Sequence, residues 1–292
     1  MKTDNSIKVG MIDGGGGMKG VYTAGVYDYL LDNTISIDYG IGVSAGAANL
    51  ITYFAEQKGR TFTFFYEYTF RKEYMSVSNW LKTRNYLNLD YIYSTLTNQG
   101  GENPLDYEIF ANKNIKYYAV ATNADSGSAK YFTKEDIRLN NYDVLKASCA
   151  IPVACKPYNV EGTLYFDGGV SDPIPYKKAL TDGCTHVIVL LTRPKTFRKE
   201  KQKYLFALKR FLKKFPNIAY KLENRHFIYN EQLEELLKLE KAGNAVVIAP
   251  EDNCGVNTFT KDKAAFAKLY QKGYEDGAKI KEYLIRIYNK NI

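Results

Sequence analysis

Residues 37–48 read IDYGIGVSAGAA, and this stretch decides the fold. An apolar run reaches Val43, a serine follows at position 44, and small residues then continue at helical spacing. This change of period predicts a buried strand, a sharp turn and a helix. Gly42 and Gly46 leave room beside a turn that larger side chains would obstruct. We therefore expect Ser44 to lie at a strand-to-helix turn.

A similar unit opens the chain. Residues 7–12 have the pattern of a short strand, the glycine run GGGGMKG fills positions 14–20, and apolar residues recur at helical spacing over residues 21–31. Two consecutive units in which a strand leads through a loop into a helix are typical of a parallel sheet. The fold class we predict is α/β, with a mainly parallel central sheet flanked by helices and a mostly helical C-terminal portion.

Strand and helix patterns continue to alternate along the rest of the chain. The composition becomes basic and helical after Pro194. We therefore predict a main domain over residues 5–195 and a C-terminal, mostly helical portion over residues 196–292. The further strand patterns cover residues 115–122, 129–133, 164–166, 186–192 and 246–249. The further helical patterns cover most of 60–103, then 142–150, 193–215, 230–241 and 261–288.

Length and charge limit the classes of protein that the chain can be. A chain of 292 residues with 45% hydrophobic content can bury one large core, or one core and a smaller appendage. Its net charge of +8 draws the surface to anions, which include phospholipid headgroups, nucleic acid and acidic proteins. Charge alone does not choose among these partners.

The cysteines and the apolar runs bear on location. The four cysteines match neither zinc-binding nor redox spacing, so they predict free thiols in a reducing compartment. The first ten residues, MKTDNSIKVG, lack the pattern of an export signal, and no apolar run reaches the roughly 18 residues that span a bilayer. We expect a cytoplasmic protein.

Ser44 has the sequence context of a nucleophile. A serine at the start of a helix lies near backbone N–H groups and the positive end of the helix dipole, which favour an anionic intermediate. The alternative is a tight turn with a purely structural role. The glycine run at 14–20 can direct its N–H groups at an oxyanion or at a phosphate, or can be a flexible turn. It matches neither of the common nucleotide-binding patterns.

A serine nucleophile needs a base to accept its proton. Asp167 ends a short strand and precedes Gly168 and Gly169, so its carboxylate is presented at an uncrowded turn, and partial burial would raise its pKa. Asp13 and Asp172 are rival carboxylates, and a structural turn is the alternative for the DGG segment that begins at Asp167. The order Ser44, Asp167, His226 also fits a histidine-dependent esterase, although His226 and His186 both have the context of structural residues.

Three motifs occur in a fixed order: GGGGMKG at 14–20, GVSAG at 42–46 and DGG at 167–169. Together they resemble the patatin-like phospholipase family, whose pattern is GGGx[RK]G, then GxSxG, then DG[GA]. ASCAIP at 147–152 and DPIP at 172–175 are similar to two further segments of that family. The resemblance covers about residues 5–195 and is closest to the bacterial branch.

The resemblance implies a three-layer sandwich in which Ser44 is the nucleophile and Asp167 activates it without histidine. It places the oxyanion hole at the backbone of Gly15, Gly16 and Gly17. The other motif positions are Lys19, where many members have arginine, and the supporting glycines Gly20, Gly42, Gly46, Gly168 and Gly169.

The implied reaction is hydrolysis of a carboxylic ester of a lipid through an acyl-enzyme. It implies a lipid or ester substrate, no metal, no cofactor and no nucleic-acid partner, and residues 5–195 become the catalytic domain. Two alternatives stay open, a noncatalytic module that binds lipid or another anion, and the histidine-dependent esterase.

Residues 203–215 combine an apolar stripe with many cations. Such a helix can lie in an anionic membrane interface, which would give peripheral contact with the inner membrane surface. The alternative is that the stripe packs on the main domain and leaves the cations in solvent. The stripe consists of Tyr204, Leu205, Leu208, Phe211, Leu212 and Phe215, and the cations are Lys203, Lys209, Arg210, Lys213 and Lys214.

Overall fold

The computed structural model describes residues 7–289, in which helices flank one eight-stranded sheet. The strands are β1 (Val9–Asp13), β2 (Tyr39–Val43), β3 (Lys116–Asn123), β4 (Ala129–Thr133), β5 (Tyr158–Val160), β6 (Thr163–Asp167), β7 (His186–Leu190) and β8 (Ala245–Ile248). The helices are α1 (Val21–Asp32), α2 (Ala45–Phe54), α3 (Arg60–Tyr66), α4 (Val77–Thr83), α5 (Tyr107–Asn112), α6 (Asp143–Ser148), α7 (Tyr176–Thr181), α8 (Leu205–Phe211), α9 (Pro216–Lys241), α10 (Lys263–Asp276) and α11 (Ala278–Asn289).

The centre of the sheet is parallel. Strands run in the order β5, β6, β3, β2, β1, β7, β8, and the five from β3 to β8 pair in parallel. The antiparallel pairs join β3 to β4, β3 to β6 and β5 to β6 at one side. Strands β1 and β2 are buried along their whole length, as expected of parallel strands covered on both faces. The predicted α/β fold with a mainly parallel sheet is confirmed.

Helices cover the sheet on both sides, which gives three layers. One core joins the sheet to α1, α2 and α10 through residues such as Tyr22, Leu50 and Phe266. The second core joins the opposite face to α7 and α9 through Ala179 and Leu233. The C-terminal portion is therefore built into both layers, and it also adds β8 to the sheet edge.

Helices α1 and α10 pack at very short range. A Cβ atom on Gly25 would lie 2.1 Å from the backbone oxygen of Tyr270, and one on Gly273 would lie 1.9 Å from that of Tyr22. Only glycine leaves space for such an approach of two backbones. The pair therefore fixes the C-terminal helices against α1, the helix that follows the glycine run.

Sheet register brings the three motifs together. Asp13 at the end of β1 pairs with Gly42 near the end of β2, and Ala121 of β3 pairs with Asp167 at the end of β6. Ligands of open α/β sheets bind in the crevice outside the carboxyl ends of parallel strands. The glycine run follows the carboxyl end of β1, and Ser44 follows that of β2. Asp167 reaches the same edge of the sheet from the antiparallel strand β6.

Several elements differ from the sequence patterns. The mostly helical stretch predicted at 60–103 consists of short helical segments, which include a π-helical turn at Tyr91–Leu96. The helix predicted over 193–215 is limited to α8, and α9 begins at Pro216 instead of residue 230, because proline is well suited to the first helical turn. The pattern at 261–288 divides at Gly277 into α10 and α11, and β5 was not predicted.

Some predicted features lie partly outside the described residues. These are positions 5 and 6 of the predicted catalytic domain, the first six residues of the N-terminal stretch and residues 290–292 of the C-terminal portion. Within residues 7–289, no helix combines the length and apolar character that crossing a bilayer requires.

Candidate active site

Ser44 occupies a strained backbone position between β2 and α2. Its φ of 55° and ψ of −129° are unusual for a residue with a side chain, and the strain is characteristic of a nucleophile held on a sharp turn. The Ser44 amide donates a hydrogen bond of 2.9 Å to the Ser148 hydroxyl, which in turn donates one of 2.6 Å to the carbonyl of Val120. Ser148 therefore fixes the turn from the side of β3.

The glycines that flank Ser44 are required by close contacts. A Cβ atom on Gly42 would lie 2.3 Å from the Cα atom of Ala47, and one on Gly46 would lie 2.5 Å from the backbone oxygen of Asp13. Any side chain at either position would push β2, α2 or β1 apart. The GVSAG spacing thus lets the serine turn sit directly against the end of β1.

Asp167 ends β6 and is buried, with 6% of its surface exposed. Its Oδ1 accepts a 2.8 Å hydrogen bond from the Gly169 amide, and its carbonyl accepts one of 2.9 Å from Thr122. Burial raises the pKa of Asp167, whereas hydrogen bonding from the Ser44 side chain, the charge of Arg225 and the Gly169 amide oppose the rise. Asp167 and Ser44 line the same cavity, and the raised pKa makes this carboxylate a stronger base than an exposed aspartate.

Gly168 and Gly169 permit this arrangement in different ways. A Cβ atom on Gly168 would lie 2.2 Å from the carbonyl oxygen of Val120, which is backbone and cannot move aside. A Cβ atom on Gly169 would lie 2.7 Å from an Nη atom of Arg225. Gly168 thus allows the chain after Asp167 to pack against β3, and Gly169 allows the Arg225 guanidinium to approach this turn.

The glycine run lines a cavity that also contains Ser44 and Asp167. Gly15 donates its amide to Oδ1 of Asp13 at 2.9 Å, and its carbonyl accepts from Thr192 at 2.7 Å. Within residues 7–289, no hydrogen bond is recorded for the amides of Gly16 and Gly17. Gly16 has a φ of 143°, a conformation that a residue with a side chain rarely adopts. The free donors of the loop are therefore Gly16 and Gly17, while Gly15 holds it to β1.

Lys19 stabilises the glycine loop through hydrogen bonds. It is 2% exposed, and its Nζ donates to the Gly16 carbonyl at 2.7 Å and to the Thr258 hydroxyl at 3.4 Å. Burial, followed by the charges of Arg193 and Arg225, lowers the pKa of Lys19 to about 7. At the end of the same motif, the Gly20 carbonyl accepts a 2.8 Å bond from Asn49 of α2.

The rival carboxylates have other surroundings. Asp13 is fully buried beneath the loop, and burial raises its pKa to about 6. Asp172 accepts hydrogen bonds from Tyr131 of β4 and Gln232 of α9. Neither carboxylate lines a cavity that contains Ser44 among the residues described.

Both histidines lie away from Ser44. His186 begins β7 in register with Val9, at the opposite end of the sheet from the serine turn. His226 lies on α9, where its Nδ1 is 3.0 Å from the Glu223 carbonyl oxygen. In the described part of the chain, neither ring lines the cavities around Ser44. Likewise, residues 7–289 contain no group of three or more His, Cys, Asp or Glu side chains suited to a metal ion.

Two cavities meet at Ser44. The smaller, of about 80 Å³, is mainly apolar and includes Met18, Ile51 and Phe65. The larger, of about 660 Å³, is lined by Asp167, by the glycine loop and by residues of the C-terminal portion. Its cationic lining consists of Lys19, Arg193, Lys199, Lys203 and Arg225.

Sequence reasoning gave no role to several of these side chains. Ser148 lies within the ASCAIP segment, but nothing in that segment indicates that its hydroxyl contacts the Ser44 amide. Arg225 reaches Asp167 from α9, 58 residues further along the chain. The one available signal was the basic composition that begins at Arg193.

Two protein-family models match this chain. A family model described as Patatin-like phospholipase matches residues 14–180, and a model described as Domain of unknown function (DUF6363) matches residues 215–289. The uncharacterized protein YjjU of Escherichia coli strain K12 is 31% identical over 194 residues, which are 64% of this chain and 52% of that protein. The chain thus spans about half the length of this curated relative.

Among solved structures, VipD from Legionella pneumophila is similar, with a TM-score of 0.48 and 15% sequence identity over 94% of this chain and 66% of that one. The patatin-like model covers more than half of this chain, including the glycine run, the serine turn and the aspartate strand. This chain therefore belongs to the patatin-like phospholipase family.

Proposed function

We propose that the protein hydrolyses carboxylic ester bonds of lipids, with Ser44 as nucleophile and Asp167 as its base. The observation that supports this most strongly is the strained Ser44 turn directed at a buried carboxylate of raised pKa. A structural turn needs neither the strain nor the buried charge, both of which cost stability.

The proposed reaction has two steps. Asp167 accepts the Ser44 proton while Oγ attacks the ester carbonyl carbon, and the amides of Gly16 and Gly17 stabilise the resulting oxyanion. Collapse of this intermediate breaks the ester C–O bond, and the leaving alcohol takes the proton from Asp167. Water then attacks the acyl-Ser44 ester by the same route in reverse and releases the fatty acid.

The cavities suggest how a lipid ester would lie across Ser44. The smaller cavity is apolar and suits the acyl chain, whereas the larger cavity contains the cationic side chains and can hold the alcohol portion. A substrate that extends into both would place its carbonyl carbon at the nucleophile.

Turnover of a short panel of lipids and p-nitrophenyl esters tests the proposal. We expect activity in the native chain, none above background in Ser44→Ala and Asp167→Asn, and native activity in His226→Ala. The His226 variant separates this mechanism from the histidine-dependent esterase. Unchanged turnover in Asp167→Asn, with the fold retained by circular dichroism, would overturn the assignment of the base.

The cations of the larger cavity favour a second candidate, a noncatalytic module that binds an anion. In that case Ser44 would be idle and a fluorophosphonate probe would leave it unlabelled. We expect labelling of the native chain that the Ser44→Ala variant abolishes.

We further propose that α8 and α4 contact a membrane at the mouth of the larger cavity. The side chains of Tyr204 and Phe206 are about 85% exposed, and Val77 and Leu81 of α4 are about 65% exposed. The Phe211 ring lines the cavity and lies 6.4 Å from that of Trp80, so the two helices flank one opening. Leu212, by contrast, is buried beside α9, so only part of the stripe predicted at 203–215 is free to contact a membrane.

Exposed aromatic side chains surrounded by lysine and arginine are suited to an anionic interface. We expect Phe206→Ser to reduce binding to vesicles of phosphatidylcholine that contain phosphatidylglycerol. The control is Phe227→Ser, because Phe227 is 64% exposed and does not line this cavity. Charge reversal at Lys209 is less selective, since that side chain already pairs with Glu223 at 2.9 Å. Equal loss of binding in the two serine variants would contradict the proposal.

A further inference from the structure

The larger cavity contains an excess of positive charge. Four of its five cations are Lys19 from the glycine run, Arg193 and Lys199 from the segment after β7, and Arg225 from α9, whereas the fifth, Lys203, is exposed to solvent. Asp167 is the one acidic side chain that lines it among the described residues. Burial, together with the nearby charges of Arg193 and Arg225, lowers the pKa values of Lys19 and Lys199 to about 7.

Neighbouring cations outside the cavity are paired. Lys195 forms an ion pair with Glu240, and Arg198 forms one with Glu234. For the four cavity cations, no ion pair with a carboxylate is recorded within residues 7–289. The Nε atom of Arg225 is buried and has no hydrogen-bond partner in the same part of the chain. A buried guanidinium nitrogen without a hydrogen-bond partner is costly, and an anionic ligand would relieve that cost.

The position of the cluster relative to Ser44 identifies the ligand. Ser44 and Asp167 line the same cavity as the four cations, and Ser44 also lines the apolar cavity. An ester with its acyl chain in the apolar cavity would direct the remainder of the molecule at the cations. Guanidinium groups favour phosphate because their N–H donors match its oxygens.

We propose that Arg193, Lys199 and Arg225, together with Lys19, bind the phosphate of a lipid substrate and select headgroups of net negative charge. This inference rests on the proposed hydrolase function and adds the class of substrate. A zwitterionic headgroup would bring its own cation into the cluster, where no second acidic side chain among the described residues lines the cavity to receive it. A neutral glyceride would leave the Nε atom of Arg225 without a hydrogen-bond partner.

The proposal predicts a specific dependence on pH. Lys19 and Lys199 lose protons near pH 7 because burial and like charges disfavour their charged forms. A phosphodiester keeps its charge over this range, so its affinity should fall as pH rises from 6 to 9, and binding at pH 8 should take up protons. The charged and titratable groups that face the two lysines are Arg193, Arg225, Asp167, Lys203 and Tyr229.

Calorimetry on the Ser44→Ala chain tests the proposal without turnover, so an inactive protein and an unselective cavity give different results. The ligands are dihexanoyl phosphatidylglycerol, dihexanoyl phosphatidylcholine and dihexanoylglycerol, which share their acyl chains, and inorganic phosphate. We expect phosphatidylglycerol to bind about 10-fold more tightly than phosphatidylcholine, which corresponds to about 1.4 kcal/mol. We expect inorganic phosphate alone to bind more weakly than either phospholipid.

Matched variants assign the selectivity to the cluster. In the Ser44→Ala background, Arg193→Gln and Lys199→Gln should each reduce the preference for phosphatidylglycerol several-fold, while Lys238→Gln, an exposed charge loss on α9, should retain it. Thermal unfolding confirms that each variant is folded. Equal affinity for the two phospholipids, or a preference unaffected by both cavity variants, would overturn the proposal. Phosphate binding as tight as that of phosphatidylglycerol would indicate a site for free phosphate instead of a headgroup.

Discussion

Asp13 and Asp167 have nearly the same local structure and very different surroundings. Each ends a strand, each precedes glycines, and each accepts a hydrogen bond of 2.8 to 2.9 Å from the glycine amide two residues later. Both are buried, and burial raises the pKa of both. Asp167, however, faces Ser44 and Arg225 in an open cavity, whereas Asp13 lies beneath the glycine loop beside Thr23 and Tyr27.

The difference shows that a strand-end Asp-Gly turn does not determine a role by itself. The Gly15 amide ties Asp13 to the loop, and its second oxygen has no hydrogen-bond partner within residues 7–289. The Asp167 carboxylate has a hydroxyl to deprotonate and a guanidinium to favour its charged form. We therefore assign Asp13 to the shape of the loop and propose Asp167 for the chemistry.

The largest expected effect is on turnover. Asp167→Asn should reduce kcat/KM by about 10³-fold or more, because an amide cannot accept the serine proton. Asp13→Asn should reduce it by no more than about 10-fold, since the amide oxygen can still accept the Gly15 N–H bond. Steady-state hydrolysis of one p-nitrophenyl ester by both variants measures the contrast. Similar losses in the two variants would remove the distinction between the carboxylates.

The second effect is on stability. Between about pH 4 and pH 6 the unfolded Asp13 is ionised while the folded carboxyl stays protonated, so the free energy of unfolding falls as pH rises through this window. A difference of about two pKa units sets a ceiling of about 3 kcal/mol for this loss. Asp13→Asn should lose that part of the pH dependence. Denaturant unfolding of the native chain and of Asp13→Asn at pH 4 and pH 7 measures this difference. The same pH dependence in the two proteins would contradict the assigned burial.

The third comparison concerns the glycines that hold the two carboxylates. A Cβ atom on Gly15 would lie 2.0 Å from the Val43 carbonyl oxygen at a φ of 62°, so Gly15→Ala should lower the free energy of unfolding by at least about 2 kcal/mol. A Cβ atom on Gly169 would meet only side-chain atoms at short range, 2.7 Å from the end of Arg225 and 3.1 Å from Oδ1 of Asp167, so Gly169→Ala should cost less than about 1 kcal/mol. Thermal unfolding of the two variants tests this order, and the reverse order would count against the described loop geometry.

The smallest expected effect is a shift of the pH–rate profile. Arg225 favours the ionised form of Asp167, so Arg225→Gln should raise the pKa of that base. The acid limb of kcat/KM on a neutral ester should then move to higher pH by about half to one unit. Lys238→Gln serves as the matched control. An acid limb that stays in place in Arg225→Gln, or moves equally in the control, would refute the coupling.

Much of the fold could be predicted because the sequence patterns that specify it are local. The strands ending at Asp13 and Val43 are short apolar runs bounded by glycines, and both strands and the helices after them occur close to the predicted positions. The region at 60–103 was less predictable because its many aromatic residues fit the core in short segments without a sustained helical period. The start of α9 was missed because residues 216–229 mix polar and apolar side chains without a clear stripe.

The candidate site was predictable only in part. Ser44, Asp167 and the glycine run were found because each lies in a turn with a recognisable composition. Ser148 and Arg225 could not be found in this way, since their roles depend on contacts across 104 and 58 residues of chain. The run GGGG also does not reveal that the Gly15 amide donates a hydrogen bond to the Asp13 carboxylate.

Mass spectrometry of the chain after exposure to a fluorophosphonate tests the central claim most directly. The account predicts a single adduct on the peptide that contains Ser44, formed at a near-native rate in Asp13→Asn, far more slowly in Asp167→Asn, and absent in Ser44→Ala. An adduct on another residue, or labelling that Asp13→Asn abolishes and Asp167→Asn leaves intact, would contradict it.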